Sequence, residues 1–194
     1  MKVVISGSGI AGLAAACYLR MLPTISQITI IESGQSKNFF AEKKFTGLWN
    51  PAIKCIEEIC SSSICKGLIH EGTFIKGSGY REWKKGDWII RPSVGLNCYV
   101  SGTNTPALGF FTNGDILTAL HDSLSRKVTA AGQTAAPVHI HYNSTLTGLS
   151  AGHVYSTTET FACDFLVAAD GAHSSVYTLL HGGPDKASSR LEYR

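Results

Sequence analysis

The sequence predicts an α/β protein with a parallel sheet, an antiparallel β-meander and the start of a second sheet. Three observations lead to this fold class. A β-branched run at residues 2–6, apolar residues at helical spacing over 10–21 and another β-branched run at 27–31 follow one another along the chain. Short strand-like segments with glycine-containing turns occupy residues 72–93. A strand-rich stretch with tight turns occupies 138–168.

The first three segments form a βαβ unit. Gly7 bounds the first strand, Pro23 ends the helix, and the acidic Glu32 ends the second strand. A unit of this kind crosses over right-handed and lays its helix against a parallel sheet.

Later segments predict two more helices and several short strands. Asn50 and Pro51 open a helix that runs to Cys60, and Asn113 or Asp115 caps a helix over 115–124. Ser61-Ser62-Ser63 interrupts the helical pattern. The predicted strands cover residues 73–75, 80–83, 88–91, 138–142, 145–149, 153–157 and 161–168.

Composition excludes several classes of protein. A chain of 194 residues suits one domain, and 17 basic against 14 acidic residues leave a net charge of +3, too small and too scattered for nucleic-acid binding. The 6 cysteines include no C-x-x-C pair, which favours reduced thiols over a zinc site. His139 and His141 share a strand face without a third ligand nearby, so no metal site is predicted.

Residues 1–22 resemble a signal peptide in hydropathy, but Gly7, Gly9 and Gly12 interrupt the apolar run where a secretion helix needs no glycine. No other segment has the length of apolar sequence that spans a bilayer. We therefore expect a soluble protein of the reducing cytoplasm. The Asn143-Ser144-Thr145 glycosylation sequon is expected to be incidental.

The segment Gly7-Ser8-Gly9-Ile10-Ala11-Gly12 is a G-x-G-x-x-G motif between a strand and a helix, the context of a Rossmann-like dinucleotide site. Gly7 permits the tight turn, Gly9 lets the backbone approach a pyrophosphate, and Gly12 allows close helix packing. The helix N-terminus offers amides to the phosphates. Glu32 is placed to accept hydrogen bonds from both ribose hydroxyls. The motif suits FAD and NAD equally.

A second motif lies at residues 164–176, with the sequence DFLVAADGAHSSV. It resembles the DG signature of the flavoprotein aromatic hydroxylases, the family of p-hydroxybenzoate, salicylate and kynurenine hydroxylases and zeaxanthin epoxidase. The resemblance implies that Asp170 and Gly171 lie beside the diphosphate of FAD, at the carboxyl end of a buried strand. The alternative is that Asp170 only caps the following turn.

Weaker resemblances concern the middle of the chain. Gly47-Leu48-Trp49-Asn50-Pro51-Ala52-Ile53 resembles the family segment that runs near the flavin, which makes Gly47 and Leu48 candidate cofactor contacts; the alternative is the start of a helix with core residues. Gly79-Tyr80-Arg81 resembles the first excursion into the substrate-side sheet. The resemblance thus implies a Rossmann-like FAD-binding domain at 1–180, interrupted at about 72–110, and a mobile tail at 181–194.

The family resemblance also implies a reaction. NAD(P)H would reduce FAD, molecular oxygen would form a peroxide at the flavin, and an aromatic or other hydrophobic small molecule would be hydroxylated. No side chain is predicted to act as a catalytic acid or base, because the cofactor carries the difficult chemistry.

Three departures from the family leave other functions open. Asn113 and Tyr177 stand where the family commonly has arginine, and the later Gly-Asp motif that holds the flavin would lie beyond residue 194. One alternative is therefore a truncated, non-catalytic relative that depends on a partner chain. Another is an NAD-dependent dehydrogenase domain, which shares the glycine motif but does not account for residues 164–176.

Overall fold

A computed structural model describes residues 1–35, 44–75, 80–81, 88–90, 108–126, 129–130 and 133–182. The chain divides into unit 1, residues Met1–Ala41 with Leu120–Arg194, and unit 2, residues Glu42–Ala119. The helices are α1 (Ile10–Leu19), α2 (Asn50–Ile59), α3 (Ser62–Glu71), α4 (Asn113–Ser125) and α5 (Ser175–His181). The strands are β1 (Lys2–Ser6), β2 (Gln27–Ile31), β3 (Phe45–Trp49), β4 (Thr73–Phe74), β5 (Tyr80–Arg81), β6 (Trp88–Ile90), β7 (Leu108–Thr112), β8 (Thr129–Ala130), β9 (Gln133–Thr134), β10 (Val138–His141), β11 (Leu146–Ser150), β12 (His153–Ser156), β13 (Thr160–Ala162) and β14 (Phe165–Ala168).

Unit 1 is built on a parallel sheet with the strand order β10-β2-β1-β14. The register places Ser6 opposite both Ile31 and Ala168, and Ile31 opposite His141. The carboxyl ends of all these strands therefore meet at one edge, which is where open α/β sheets bind ligands. This confirms the predicted fold class, a mixed α/β fold with a parallel sheet and antiparallel sheets.

The core of unit 1 explains why β1 and β2 are almost uniformly apolar. Four of the five residues in each strand are buried, as expected for strands covered on both faces. One face of the sheet joins a cluster drawn from the sheet, the β11–β12 strands and α5: Val4, Ile31, Leu146, Val154 and Val176. Burial of side chains of this size stabilises the fold by about 1.5–3 kcal/mol each.

The strand-rich stretch after residue 138 divides between two sheets. β11, β12 and β13 form the predicted antiparallel meander, whereas β10 and β14 join the parallel sheet. The prediction of a single strand over 161–168 is wrong, because the strand is interrupted at Asp164 and two strands, β13 and β14, lie on either side of the interruption. The Asp164 carboxylate accepts from the Lys2 amide at 2.7 Å, and the Asp164 amide donates to the Lys2 carbonyl at 2.9 Å. This exchange starts the pairing of β14 with β1.

Unit 2 contains an antiparallel sheet with the order β3-β7-β4, and β5 pairs with β6 in a hairpin. The hairpin and β4 follow the predicted segments 73–75, 80–83 and 88–91, of which residues 82, 83 and 91 lie outside the described residues. Strands β3 and β7 were not expected from the sequence. Each strand has only five residues and contains a glycine, and β3 has no buried position, so the alternation that marks a strand is weak.

Two helix boundaries differ from expectation. The helical pattern is interrupted at Cys60 and Ser61, as expected, but a helix that was not predicted, α3, starts directly afterwards with Ser61 as its N-cap. Helix α4 begins at Asn113, and its cap is Thr112, whose hydroxyl accepts from the Asp115 amide at 3.0 Å and donates to the Asp115 carboxylate.

The carboxyl-terminal end of the described chain also differs. Residues 175–181 form α5, which ends at Gly182 in a left-handed conformation (φ 75°), so the tail predicted at 181–194 starts too early. The rest of the predicted tail, 183–194, lies outside the described residues. Within the described ranges, no helix has both the length and the apolar character needed to cross a bilayer.

Arg20, at the C-terminal end of α1, binds the C-terminal end of α4 through hydrogen bonds inside unit 1. Its guanidinium donates to the carbonyls of Ser123, Leu124 and Arg126 at 3.1, 2.7 and 3.0 Å, and the residue is only 8% exposed. These carbonyls lie at a helix C-terminus, where backbone acceptors lack intrahelical donors and a positive charge is favourable.

We predict that Arg20→Met, which keeps the aliphatic stem but removes the donors, lowers the free energy of unfolding by about 2–4 kcal/mol. Lys2→Met, which removes an exposed cation from β1, is the control and should change it by less than about 0.5 kcal/mol. Urea denaturation of both variants measures the difference. Equal effects would show that the α4 carbonyls find other donors.

Candidate functional site

A cavity of about 280 Å³ opens at the carboxyl edge of the parallel sheet in unit 1. Its walls come from the ends of β1, β2 and β14, from the turn after β10 and from the start of α5. The lining residues are Ser6, Gly7, Gly9, Ile31, Glu32, Ser33, Ser144, Thr145, Leu146, Ala169, Asp170, Gly171 and Ser175. The cavity therefore combines both sequence motifs, which are more than 150 residues apart in the chain.

The turn after β1 is closed by backbone contacts on both sides. The Gly7 amide donates to the Ile31 carbonyl at 2.8 Å, and the Ala169 amide donates to the Ser6 carbonyl at 2.8 Å. Gly7 has φ 97°, and a Cβ there would lie 2.5 Å from the Ala169 carbonyl oxygen. Gly12 packs so closely that a Cβ would overlap the Gly7 carbonyl oxygen. Only glycine fits at these two positions.

Gly9, the N-cap of α1, lines this cavity, and the first turn of the helix has amides without a helix acceptor. The first hydrogen bond of the helix runs from the Leu13 amide to the Gly9 carbonyl at 2.9 Å, so the amides of Ile10, Ala11 and Gly12 have no carbonyl of the helix to bind. Gly9 supplies no side-chain cap, and the first turn carries no acidic residue. A Cβ at Gly9 would meet no protein atom within 4 Å and would occupy the open space instead. This geometry suits an anion such as a pyrophosphate.

Glu32 is fixed by four donors at the end of β2. Its Oε2 accepts from the Ser8 amide at 2.7 Å and from the Ser8 hydroxyl at 2.9 Å. Its Oε1 accepts from the Gly34 amide at 2.6 Å and from the Ser33 hydroxyl at 3.4 Å. The side chain is only 8% exposed, yet it contributes to the cavity wall. Burial, and then the negative charge of Glu32, raise the pKa of the nearby Tyr142.

Asp170 lines the opposite wall and is tied to β1 and α5. Its Oδ2 accepts from the Ser6 hydroxyl and from the Val176 amide, both at 3.2 Å. Burial raises the pKa of this carboxyl, but hydrogen bonds, the strongest from the Ser174 side chain and then the Val176 amide, outweigh burial and hold the pKa below its usual value. Asp170 thus lines the cavity and also supports the first turn of α5.

The predicted site residues fall into three groups. The cavity brings together Gly7, Gly9, Glu32, Asp170 and Gly171. Ser8 and Gly12 are buried behind it, and Ile10 and Ala11 begin α1. Gly47 and Leu48 belong to unit 2, on β3 opposite Phe110 and Gly109 of β7.

Sequence reasoning missed the wall formed by Ser144, Thr145 and Leu146. Ser144 is 1% exposed; its amide donates to the Glu32 carbonyl at 2.9 Å, and its hydroxyl pairs with Thr158 at 2.8 Å. Two residues of the sequon, Ser144 and Thr145, thus form part of the cavity wall. The signal lay in β10: a parallel strand beside β2 brings the turn after it to the same edge of the sheet.

Asn113 stands where the resemblance led us to look for an arginine, and it has a structural role in unit 2. Its amide donates to the Lys44 carbonyl at 2.7 Å, and its side-chain oxygen accepts from the Thr46 hydroxyl. Among the described residues that line the cavity of unit 1, none is a lysine, arginine or histidine, whereas two are carboxylates. The described wall therefore offers an anion neutral donors, which are backbone amides and the hydroxyls of serine and threonine.

The fold of the chain is the Rossmann-like mixed α/β fold found in flavin monooxygenases. Similar solved structures include p-nitrophenol 4-monooxygenase PnpA from Pseudomonas putida DLL-E4 (TM-score 0.71, 14% identity, 92% of this chain and 43% of that chain). CtdE in complex with FAD and substrate 4 has a TM-score of 0.66 at 16% identity, over 92% of this chain and 39% of that chain. The tetrameric form of 2-methyl-3-hydroxypyridine-5-carboxylic acid oxygenase has a TM-score of 0.63 at 19% identity, over 89% and 40%.

At identities of 14–19%, these similarities show a likeness of fold alone. No family model matches the sequence, and no curated protein matches it. The chain spans less than half the length of the similar structures.

We predict that Gly7→Ala and Gly12→Ala each lower the free energy of unfolding by about 2–4 kcal/mol, because the added methyl group meets backbone atoms. Gly67→Ala on α3 is the matched control, since a Cβ there meets nothing within 4 Å, and it should leave stability unchanged or slightly higher. Thermal unfolding of the three variants measures this. A control that lost as much as Gly7→Ala would refute the packing argument.

The lowered pKa of Asp170 predicts a pH-dependent contribution to stability. A carboxyl with a depressed pKa stabilises the fold fully above its ordinary pKa of 3.8 and loses this contribution as the pH falls through the lower folded value. Asp170→Asn should therefore be less stable than the parent protein at pH 7, and the gap should narrow below pH 3.8. Urea titrations across this range test it, with Glu58→Gln on the exposed side of α2 as the control. A gap that stays constant with pH would contradict the assignment.

Proposed function

We propose that the chain is the FAD-binding part of an NAD(P)H-dependent flavin monooxygenase that hydroxylates an aromatic or other hydrophobic small molecule. The observation that carries this proposal is the cavity of unit 1. Both Glu32 and Gly9, the N-cap of α1, line this cavity, and the N-terminus of α1 has no side-chain cap. A phosphate cradle beside a ribose acceptor is the arrangement that a dinucleotide requires. The likeness of fold to monooxygenases, one of them in complex with FAD, supports FAD over NAD.

The size of the cavity indicates which portion of the cofactor it holds. At about 280 Å³ it lies at the lower end of ligand pockets, which span roughly 300–1,000 Å³. We assign to it the adenosine and pyrophosphate portion of FAD. Gly47 and Leu48 stay candidates for the flavin portion on resemblance alone.

Each residue of the cavity has a distinct task in this proposal. Amides at the start of α1 bind the pyrophosphate, and the bare backbone of Gly9, which lines the cavity, lets it approach. Glu32 accepts from the ribose. Asp170 stays ionised at neutral pH and orients the turn that leads into α5. None of these side chains acts as a catalytic acid or base.

FAD, when bound, supplies the redox chemistry: it takes up hydride equivalents from NAD(P)H and activates molecular oxygen. The polypeptide binds the cofactor, orients it and limits access of water. We assign residues 1–180 to the FAD-binding domain, interrupted at about 72–110 by the start of a substrate-side sheet.

A non-catalytic FAD-binding relative is the competing proposal. It is favoured by Asn113, whose side-chain oxygen accepts from the Thr46 hydroxyl at the position where the family commonly has an arginine. Binding of FAD without oxidation of NAD(P)H would establish this alternative, with a partner chain as its next test.

We predict that the purified chain binds FAD at about one equivalent, measured by visible absorption and by quenching of flavin fluorescence. Gly9→Ala should fold normally, because its Cβ meets no protein atom, but should weaken FAD binding about tenfold or more, because the methyl group enters the cavity. Gly67→Ala is again the control. A parent chain that takes up no added FAD would overturn the proposed function.

A further inference from the structure

The ribose acceptor Glu32 is already largely occupied by its own chain. Its Oε2 accepts from both the amide and the hydroxyl of a single residue, Ser8, at 2.7 and 2.9 Å. A carboxylate oxygen has about two lone-pair positions, so these two bonds fill Oε2. Ser8 is 2% exposed, and water therefore cannot replace its hydroxyl in this bond.

The other oxygen of Glu32 is filled less completely. Oε1 accepts from the Gly34 amide at 2.6 Å, whereas the Ser33 hydroxyl lies 3.4 Å away, at the outer limit of a hydrogen bond. Ser33 lines the cavity, and its hydroxyl can rotate toward another partner. One acceptor position on Glu32 is thus readily available to a ligand.

We propose that Ser8 determines how the ribose is recognised: by filling Oε2 it leaves Glu32 one acceptor position, so the adenosine is held through one of its two ribose hydroxyls. This inference rests on the proposed function. It replaces the sequence-based expectation that Glu32 accepts from both hydroxyls. A serine at the second position of the glycine motif is what makes the difference, since alanine or glycine there would leave only the backbone donor.

The experiment uses ADP as the probe and calorimetry of the whole chain as the readout. ADP, 2′-deoxy-ADP and 3′-deoxy-ADP are titrated into the parent protein. We expect one deoxy analogue to bind about tenfold or more weakly, because it lacks the single hydroxyl that Glu32 accepts, and the other to bind within about twofold of ADP.

Ser8→Ala distinguishes a role in recognition from a merely structural one. Without the hydroxyl, Oε2 regains a lone pair, and both deoxy analogues should then bind more weakly than ADP. A structural role alone would weaken all three ligands by the same factor and leave their ratios unchanged. Ser62→Ala is the matched control, because Ser62 is an exposed serine of α3 outside the cavity lining, and it should leave the parent pattern of one sensitive hydroxyl.

The outcomes separate this inference from the function on which it rests. If the parent protein loses affinity equally for both deoxy analogues, or for neither, the role of Ser8 is wrong while nucleotide binding stands. If ADP and FAD both fail to bind, the proposed function is wrong and this inference falls with it. Should Ser8→Ala fail to fold, Ser8→Cys, which has a similar size but is only a weak donor, replaces it, and the analogue series on the parent protein still decides whether a single ribose hydroxyl is recognised.

Discussion

The site of unit 1 depends on the close approach of two backbone turns, the one after β1 and the one after β14. Gly7 lies against the Ala169 carbonyl, and paired amides tie these turns to the ends of β1 and β2. This contact brings Gly9, at the start of α1, and Asp170 into the wall of the cavity that Glu32 also lines. Because any Cβ at Gly7 would push the two turns apart, the geometry of the whole site follows from one glycine.

Two carboxylates line the cavity of unit 1, and the structure offsets their charge with hydrogen bonds. Glu32 is satisfied by amides and hydroxyls of neighbouring turns, and Asp170 by Ser6 and the start of α5. These donors belong to the same turns that shape the walls. The hydrogen bonds of the two carboxylates therefore hold neighbouring turns of the site in place. The partial positive charge at the start of α1 lies next to these turns.

Much of the site was predictable because its chemistry is local in sequence. The glycine turn, the helix after it and Glu32 lie within one βαβ unit, where periodicity and glycine spacing define the geometry. The wall at Ser144 was missed because it depends on which sheet β10 joins. Strand β10 alternates apolar residues with histidines, a pattern that suits a meander as well as a parallel sheet, and only its pairing with β2 decides between them.

By itself, the sequence determined the fold class, the βαβ unit and the two motifs, since strand and helix periods and obligatory glycines are written residue by residue. Only the tertiary structure showed that the strand is interrupted at Asp164 and that the Asn113 side chain accepts a hydrogen bond from Thr46. Only the tertiary structure showed that Ser8 donates to one oxygen of Glu32. The physical reason is distance along the chain. Hydrogen bonds between residues many positions apart depend on register and burial, which no local pattern encodes.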